Sequence, residues 1–415
     1  MKFVAATYGT EGDTRPLAAL CRALMDAGHE ALLLADSATL GAASALNVPS
    51  VALAGDIKGT LQPTLAISGV VAGEQGFSGT ANALARIANT NAEAWLREIV
   101  AAGKGCDAII VSGLAAFAGL SAAEHLGVKA IGAGFIPITP TAAFASPFLP
   151  PRYIPAIFNR ASHHFVNGML WRAFRKKINA ARTAVCGLPP RHELWTDHPM
   201  LFGVSPSLLT DSGCQPADWP VNAHAYGQWV PPSSINWCAP KALADFLEAG
   251  EAPMYIGFGS MMGFDRSKLL SDVIEAVAGR RALFYPGWSG VDRSALPVNF
   301  HVIDETPHDW LFPRTSLVVH HGGSGTTHSA ARSGVPSVVV PFAGDQFFWA
   351  DRLRRAGVAA DPVDGRRLRA SSLVQGIEFA ERAEVRARAQ TLGIRIRAEH
   401  GLANTVSTIE KLMSV

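Results

Sequence analysis

Residues 320–346 read HHGGSGTTHSAARSGVPSVVVPFAGDQ, a histidine pair, a glycine-rich turn, a helix-forming stretch, a buried strand and then an acid–amide pair. Each part suits one piece of a polar ligand. A tight turn ahead of a helix presents free backbone N–H groups and the positive end of the helix dipole, and both attract an anion. Glycine and serine let the backbone come close, and a neighbouring histidine donates one more hydrogen bond to a phosphate oxygen. His320 reads as the supporting residue, and His321, at the turn, as the phosphate contact, with Thr326 or Thr327 near the helix cap. Asp345 and Gln346, beyond the next strand, fall on the same carboxyl edge, where open α/β sheets bind ligands. A carboxylate accepts and an amide both donates and accepts, which matches vicinal hydroxyls. The composite reads as a site for a diphosphate joined to a sugar. A structural strand–helix turn explains Gly322, Gly323 and Gly325 equally well when they are taken alone. The doubled histidine, the threonine pair and Asp-Gln weigh against that blander account.

Such a site needs parallel strands behind it, and the sequence supplies them twice. KFVAATY (2–8), HEALLLA (29–35), CDAIIVS (106–112) and VKAIGAGF (128–135) are short apolar runs separated by helix-period segments. In the first of those segments, Leu17, Leu20, Cys21 and Leu24 share one face. The pattern restarts at APMYIGFGS (252–260) and continues through RALFYPGW (281–288), FHVID (300–304), SLVVHHG (316–322) and PSVVVPF (336–342). Strands alternating with helices predict parallel sheets covered on both faces, here two successive Rossmann-like α/β domains. VPPSSINWCAP (230–240) suits a linker. The expected division is 1–235 and 236–415, with a helix-forming tail over 372–413 whose last helix packs back on the first domain.

Composition agrees with a large buried core. Of 415 residues, 48% are hydrophobic and 17% charged, and the formal charge of +2 argues against binding nucleic acid through bulk electrostatics. Five scattered cysteines with no C-x-x-C point to a reducing compartment rather than a disulfide framework or a zinc site. No apolar run is long enough for a membrane span, and MKFVAATYGTEGD reads as a first strand rather than a leader, so a cytoplasmic location is expected.

Two stretches fit neither sheet. FIPITPTAAFASPFLPPRYIP (135–155) holds six prolines and three phenylalanines and reads as a long, stiff, apolar connection. Residues 158–182 read as a basic amphipathic helix with Phe165, Met169, Leu170 and Phe174 as its apolar side. One account packs that side on the domain; the other presents it to a lipid-like acceptor or a membrane face.

Taken together, YGTEGDTRPLAAL (8–20), GFGSM (257–261), PHDWLFPR (307–314), HHGGSGTT (320–327) and PFAGDQFFWADRL (341–353) resemble the family 1 inverting glycosyltransferases of the UDP-glycosyltransferase superfamily. The resemblance is nearest to sterol 3-beta-glucosyltransferases and to bacterial glycopeptide and macrolide glycosyltransferases, and it is most specific over 300–355. It implies a GT-B fold, two Rossmann-like domains facing each other across a cleft. It further implies that His321, Thr326 and the backbone at Gly323 and Gly325 hold the donor diphosphate, with Ser260 near the same phosphates. Asp345 and Gln346 bind the sugar hydroxyls, and His308 takes the place of a glutamine bordering the nucleotide base. Where plant members stack a tryptophan on the base, this chain has Glu305; Trp288 is the substitute candidate, with a core tryptophan as the alternative.

Asp13, in the G-x-x-G-D loop after the first strand, is the resemblance's choice for the general base that deprotonates the acceptor; Glu11 is the rival, and an Asp capping a helix that begins at Thr14 is the plain structural account. No residue that would orient Asp13 is evident. The acceptor is expected against Phe135, Phe144 and Phe148, and with 60–90, which favours a hydrophobic alcohol such as a sterol, polyketide, aromatic aglycone or lipid. The chain has no Asp-x-Asp motif, so metal-independent transfer without a cofactor is expected, from a UDP-sugar, with glucose as the family's prior and dTDP-sugars open. Other histidines have plain readings, although His328 lies close enough in sequence to reach the ribose. Two rival functions keep the fold: a UDP-sugar epimerase or hydrolase, which would act on donor alone, and a non-catalytic nucleotide-sugar-binding protein.

Overall fold

A computed structural model describes residues 1–61, 76–231, 237–259, 266–287 and 296–414. The first half is a seven-stranded sheet in the order β3-β2-β1-β4-β5-β6-β7, every pairing parallel. Its strands are β1 (Lys2–Ala6), β2 (Glu30–Asp36), β3 (Ser50–Leu53), β4 (Ala108–Val111), β5 (Lys129–Gly134), β6 (Met200–Phe202) and β7 (Ala223–Ala225). The second half is a five-stranded parallel sheet in the order β10-β9-β8-β11-β12. These are β8 (Met254–Gly257), β9 (Ala282–Tyr285), β10 (Phe300–Val302), β11 (Leu317–His320) and β12 (Ser337–Val339). Two parallel α/β sheets in succession give the GT-B fold. The expected boundary at residue 235 lies outside the described residues.

The apolar runs form strands because both sheet faces are covered. Phe3 and Ala5 point to one helical layer and Val4 and Ala6 to the other, so a parallel strand needs apolar side chains at every position. Leu17, Leu20, Cys21 and Leu24 of the helix Glu11–Asp26 are wholly buried, as their spacing predicts. That helix starts at Glu11 with Thr10 as its N-cap, one turn earlier than the expected start at Thr14. The final helix, Gly401–Met413, crosses back to the first sheet: Val406 and Ile409 join the Phe3 core, and Trp229 Nε1 donates to Thr405 Oγ1 at 3.0 Å.

Topology then fixes where chemistry can occur. The chain runs β1 to β3 outward on one side of β1, then places β4 on the other side; β8, β9, β10 and β11 repeat the move. The loops after β1, β4, β8 and β11 therefore diverge at two switch points, opening a crevice at the carboxyl edge of each sheet.

Candidate active site

One cleft of about 2400 Å3 joins the two crevices, and its walls include Asp13 from the first sheet and His308, His321, Thr326, Asp345 and Gln346 from the second. At the donor side, β11 ends in His320, whose ring is buried and whose Nδ1 accepts the Gly322 N–H at 3.1 Å. That bond makes it the supporting residue. His321 turns into the cleft. Gly322 has φ +87°, and a side chain there would press on the Gln346 carbonyl; one at Gly323 would occupy the space of the His321 imidazole. The glycines thus let the histidine lie flat against the turn.

The helix Ser324–Ser333 starts immediately after, with Gly323 as its N-cap and no side-chain cap. Thr326 and Thr327 thus lie in the first turn, near the cap as expected, and neither side chain closes it. Thr326 is the third helical residue and lines the cleft, while Thr327 is fully buried. An uncapped first turn leaves its N–H groups for a ligand. Burial pushes His321 and His328 down to about 4 and His320 to about 3, so all three rings are neutral at neutral pH. A neutral imidazole binds a diphosphate as a single N–H donor. His328 also lines the cleft, with Nδ1 2.7 Å from the Ser324 carbonyl.

Asp345 caps the helix Gln346–Arg355 from a partly open position and accepts Trp349 Nε1–H at 2.9 Å. Gln346 is more constrained than its type suggests. Its Oε1 accepts the Phe342 and Ala343 N–H groups at 2.8 and 3.1 Å, which fixes the side chain at the cleft wall. His308 lies parallel to Phe312, ring centres 4.2 Å apart, and burial with the nearby Arg15 cation lowers it to about 4. Ser260 and Trp288 lie outside the described residues.

Across the cleft, Asp13 stands in the first turn of its helix. Its Oδ2 accepts the Thr10 N–H at 2.9 Å, the reciprocal half of a capping box. Gly9 makes room for the carboxylate; a β-carbon there would collide with it. Oδ1 forms no hydrogen bond among the described residues. The partner of Asp13 that the sequence left unidentified is therefore Thr10, three residues before it. Asp13 keeps an open edge on the cleft yet lies deep, and desolvation raises it to about 6 in spite of the Thr10 bond. Asp345 is raised to about 6 as well, by desolvation and then by the facing charge of Asp13. Glu11, also in the cleft, is tied to Arg15, and Arg15 reaches over to Glu305 of the second half, an ion pair between the halves that no sequence pattern announced.

The acceptor candidates divide. Phe135 and Phe148 line the cleft. Phe144 does not: it is 3% exposed and packs on Phe348, ring centres 5.0 Å apart, within a core shared by Phe202, Trp219, Trp349 and Leu392. Its place in an apolar connection could not reveal which way it turns. Phe117, Leu170 and Trp195, which sequence reading passed over or placed elsewhere, line the apolar reach of the same cleft.

A sterol 3-beta-glucosyltransferase of Glomerella lagenarium is 29% identical over 445 residues, taking in 100% of this chain and 28% of the relative. One from Arabidopsis thaliana is 28% identical over 429 residues, 99% of this chain and 65% of the relative. The family described as erythromycin biosynthesis protein CIII-like, C-terminal domain, matches residues 276–401. Along essentially its whole length the chain is similar to sterol 3-beta-glucosyltransferases. It spans well under half the length of its fungal glycosyltransferase relatives. Among solved structures, the glycosyltransferase of kitacinnamycin aligns with a TM-score of 0.70 at 18% identity over 99% of this chain and 98% of that one. The glycosyltransferase VinC, solved with dTDP, aligns with a TM-score of 0.69 at 20% identity over 100% of both. These likenesses agree with the two-sheet GT-B architecture described above.

Proposed function

We propose that this protein is an inverting, metal-independent O-glycosyltransferase that moves a sugar from a UDP-sugar to a hydroxyl of a small hydrophobic acceptor, with Asp13 as general base. The observation that carries the reading is the meeting of Asp13 with the His321–Thr326 turn and Asp345 across one cleft, close enough for the Asp13 charge to act on Asp345.

The reaction follows from these positions. Asp13, through Oδ1, takes the acceptor's hydroxyl proton, and a carboxyl group near 6 is ionised at neutral pH yet more basic than an ordinary aspartate. The acceptor oxygen attacks the anomeric carbon on the face opposite the diphosphate. The bond from that carbon to the phosphate oxygen breaks through an oxocarbenium-like centre, with inversion. The departing charge meets the free N–H groups of the helix starting at Ser324 and the N–H of His321. Asp345 and Gln346 orient the sugar, and His308 borders the base. Glucose is the proposed sugar, on the strength of the sterol 3-beta-glucosyltransferase relatives; Phe135, Phe148 and the apolar wall around Phe117 favour a sterol, polyketide or aromatic alcohol.

The test is release of UDP from UDP-glucose in the presence of a panel of hydrophobic alcohols, with the product's anomeric configuration read by NMR. An inverted glycoside, formed equally well in EDTA, is the expected result. Turnover of donor without acceptor would replace this reading with an epimerase or hydrolase. Because VinC was solved with dTDP, thermal shifts with UDP and dTDP are measured side by side; stabilisation by UDP alone is expected.

A further inference from the structure

Ten large apolar side chains are exposed among the described residues, and five of them, Tyr153, Ile157, Phe158, Phe165 and Met169, fall within seventeen consecutive positions. Single exposed apolar residues are ordinary; a cluster signals an interaction surface. Its origin lies in the helix Asn159–Ala181, which buries Val166, Trp171, Phe174 and Ile178 against the first domain. The four residues expected to form one apolar side are thus split: Phe174 is buried and Leu170 half-buried, whereas Phe165 is 59% and Met169 41% exposed. Ala161, Phe165 and Met169, four residues apart, run along the outer face and are followed there by exposed Arg172 and Lys176.

Charge completes the pattern. Residues 125–192 contain nine lysines and arginines and no aspartate or glutamate, in a chain whose formal charge is only +2. Arg160 pairs with Asp218, and Arg182 and Arg191 with Glu124. Arg172, Arg175, Lys176 and Lys177 are exposed and form no ion pair among the described residues. The apolar face also touches the cleft, since Phe148, Leu149, His164 and Met169 line its wall.

We propose that this face docks on an anionic lipid bilayer, with Ile157, Phe158 and Phe165 entering the boundary between headgroups and acyl chains and the four cations binding lipid phosphates. A second copy of the chain is a poorer occupant, because it would oppose one basic helix to another. One consequence rests on the glycosyltransferase reading: a hydrophobic acceptor passes from the bilayer into the cleft past Met169 without crossing water. Docking itself does not depend on that reading.

The test is co-sedimentation of the full chain with phosphatidylcholine vesicles containing or lacking phosphatidylglycerol, without acceptor. Binding to the anionic vesicles alone, weakened by salt, is expected. Ile157→Asp with Phe165→Asp abolishes it, and Arg172→Glu with Lys176→Glu weakens it at least roughly 25-fold, from about fivefold per cation. Both pairs keep the wild-type melting temperature and transfer to a water-soluble acceptor. Absence of binding to anionic vesicles, or binding that these pairs leave unchanged, overturns the proposal. So does concentration-dependent dimerisation that the same pairs abolish. Vesicle binding by a protein that transfers no sugar supports this surface and sinks the enzymatic reading instead.

Discussion

The loops after β1 and after β11 occupy equivalent switch points in two sheets of the same design, yet they carry opposite chemistry. After β11 the chain offers neutral imidazoles, glycines and an uncapped helix start, a place built to receive negative charge. After β1 it offers a helix start already closed by a capping box, with Thr10 as N-cap and the Asp13 carboxylate as its reciprocal half. An uncapped turn invites an anion; a turn capped by an acid repels one. On the proposed reading, this difference suits the second domain to the donor diphosphate and the first to the proton-accepting step.

The largest expected effect comes from removing the acid of the β1 loop. Asp13→Asn keeps an oxygen for the Thr10 N–H but cannot take a proton, and transfer should fall about a thousandfold. In the parent protein, kcat/KM should rise with pH through about 6 as Asp13 ionises. A variant retaining parental turnover, or a flat profile between pH 5 and 7, would move the base to another residue such as Glu11. The matching change on the other side, His321→Ala, should lower kcat/KM about a hundredfold and abolish most of the stabilisation by UDP. Asp13→Asn should leave UDP binding intact. If the two variants lose UDP binding alike, the division of labour between the loops is wrong.

The same contrast explains what could be read beforehand. The donor side is contiguous: β11, its turn, β12 and Asp345–Gln346 fall within 30 residues, so spacing alone brought His321, Thr326 and Asp345 together. The fold was legible wherever strands are continuous apolar runs. It was not legible at β3, β6 and β7, three short strands toward the edges of the first sheet. The acceptor side is assembled from the segments around 117, 135, 148, 170 and 195. Which way each aromatic turns depends on partners far away in sequence, as Phe144 meeting Phe348 shows. The Arg15–Glu305 pair spans the two halves and left no local mark.

Phe144 and Phe148 sharpen that point. Phe144→Ala should destabilise the protein by about 3 to 5 kcal/mol, through the cavity left in the shared core, with little change in acceptor KM at a temperature where the variant is folded. Phe148→Ala should do the reverse, raising acceptor KM roughly tenfold with a small change in melting temperature, because the ring faces the cleft. Equal effects at both positions would mean that the 135–155 connection acts as one unit.

The smallest expected effect is a gain in stability. Asp13 is raised from its ordinary value to about 6 by desolvation, so its folded state holds the proton more tightly than the unfolded chain does. Its favourable contribution is therefore fully present below the ordinary carboxylate value near 4 and is lost as pH rises through about 6. At pH 8 the parent carries a desolvated charge facing Asp345, and Asp13→Asn removes it. The variant should then be more stable by about 1 kcal/mol, discounted because the carboxylate retains an edge on the solvated cleft. The gain should vanish at pH 4, where both side chains are neutral. The buried histidines of the β11 loop run the other way: lowered to about 4 and below, they contribute stability above about 6.5 that is lost as pH falls through 4. His321→Asn should consequently relieve acid sensitivity while Asp13→Asn relieves alkaline sensitivity. Melting curves for both variants from pH 4 to 8 separate the two loops without any substrate, and a loss of stability in Asp13→Asn at pH 8 would show that the acid is held by more than its helix cap.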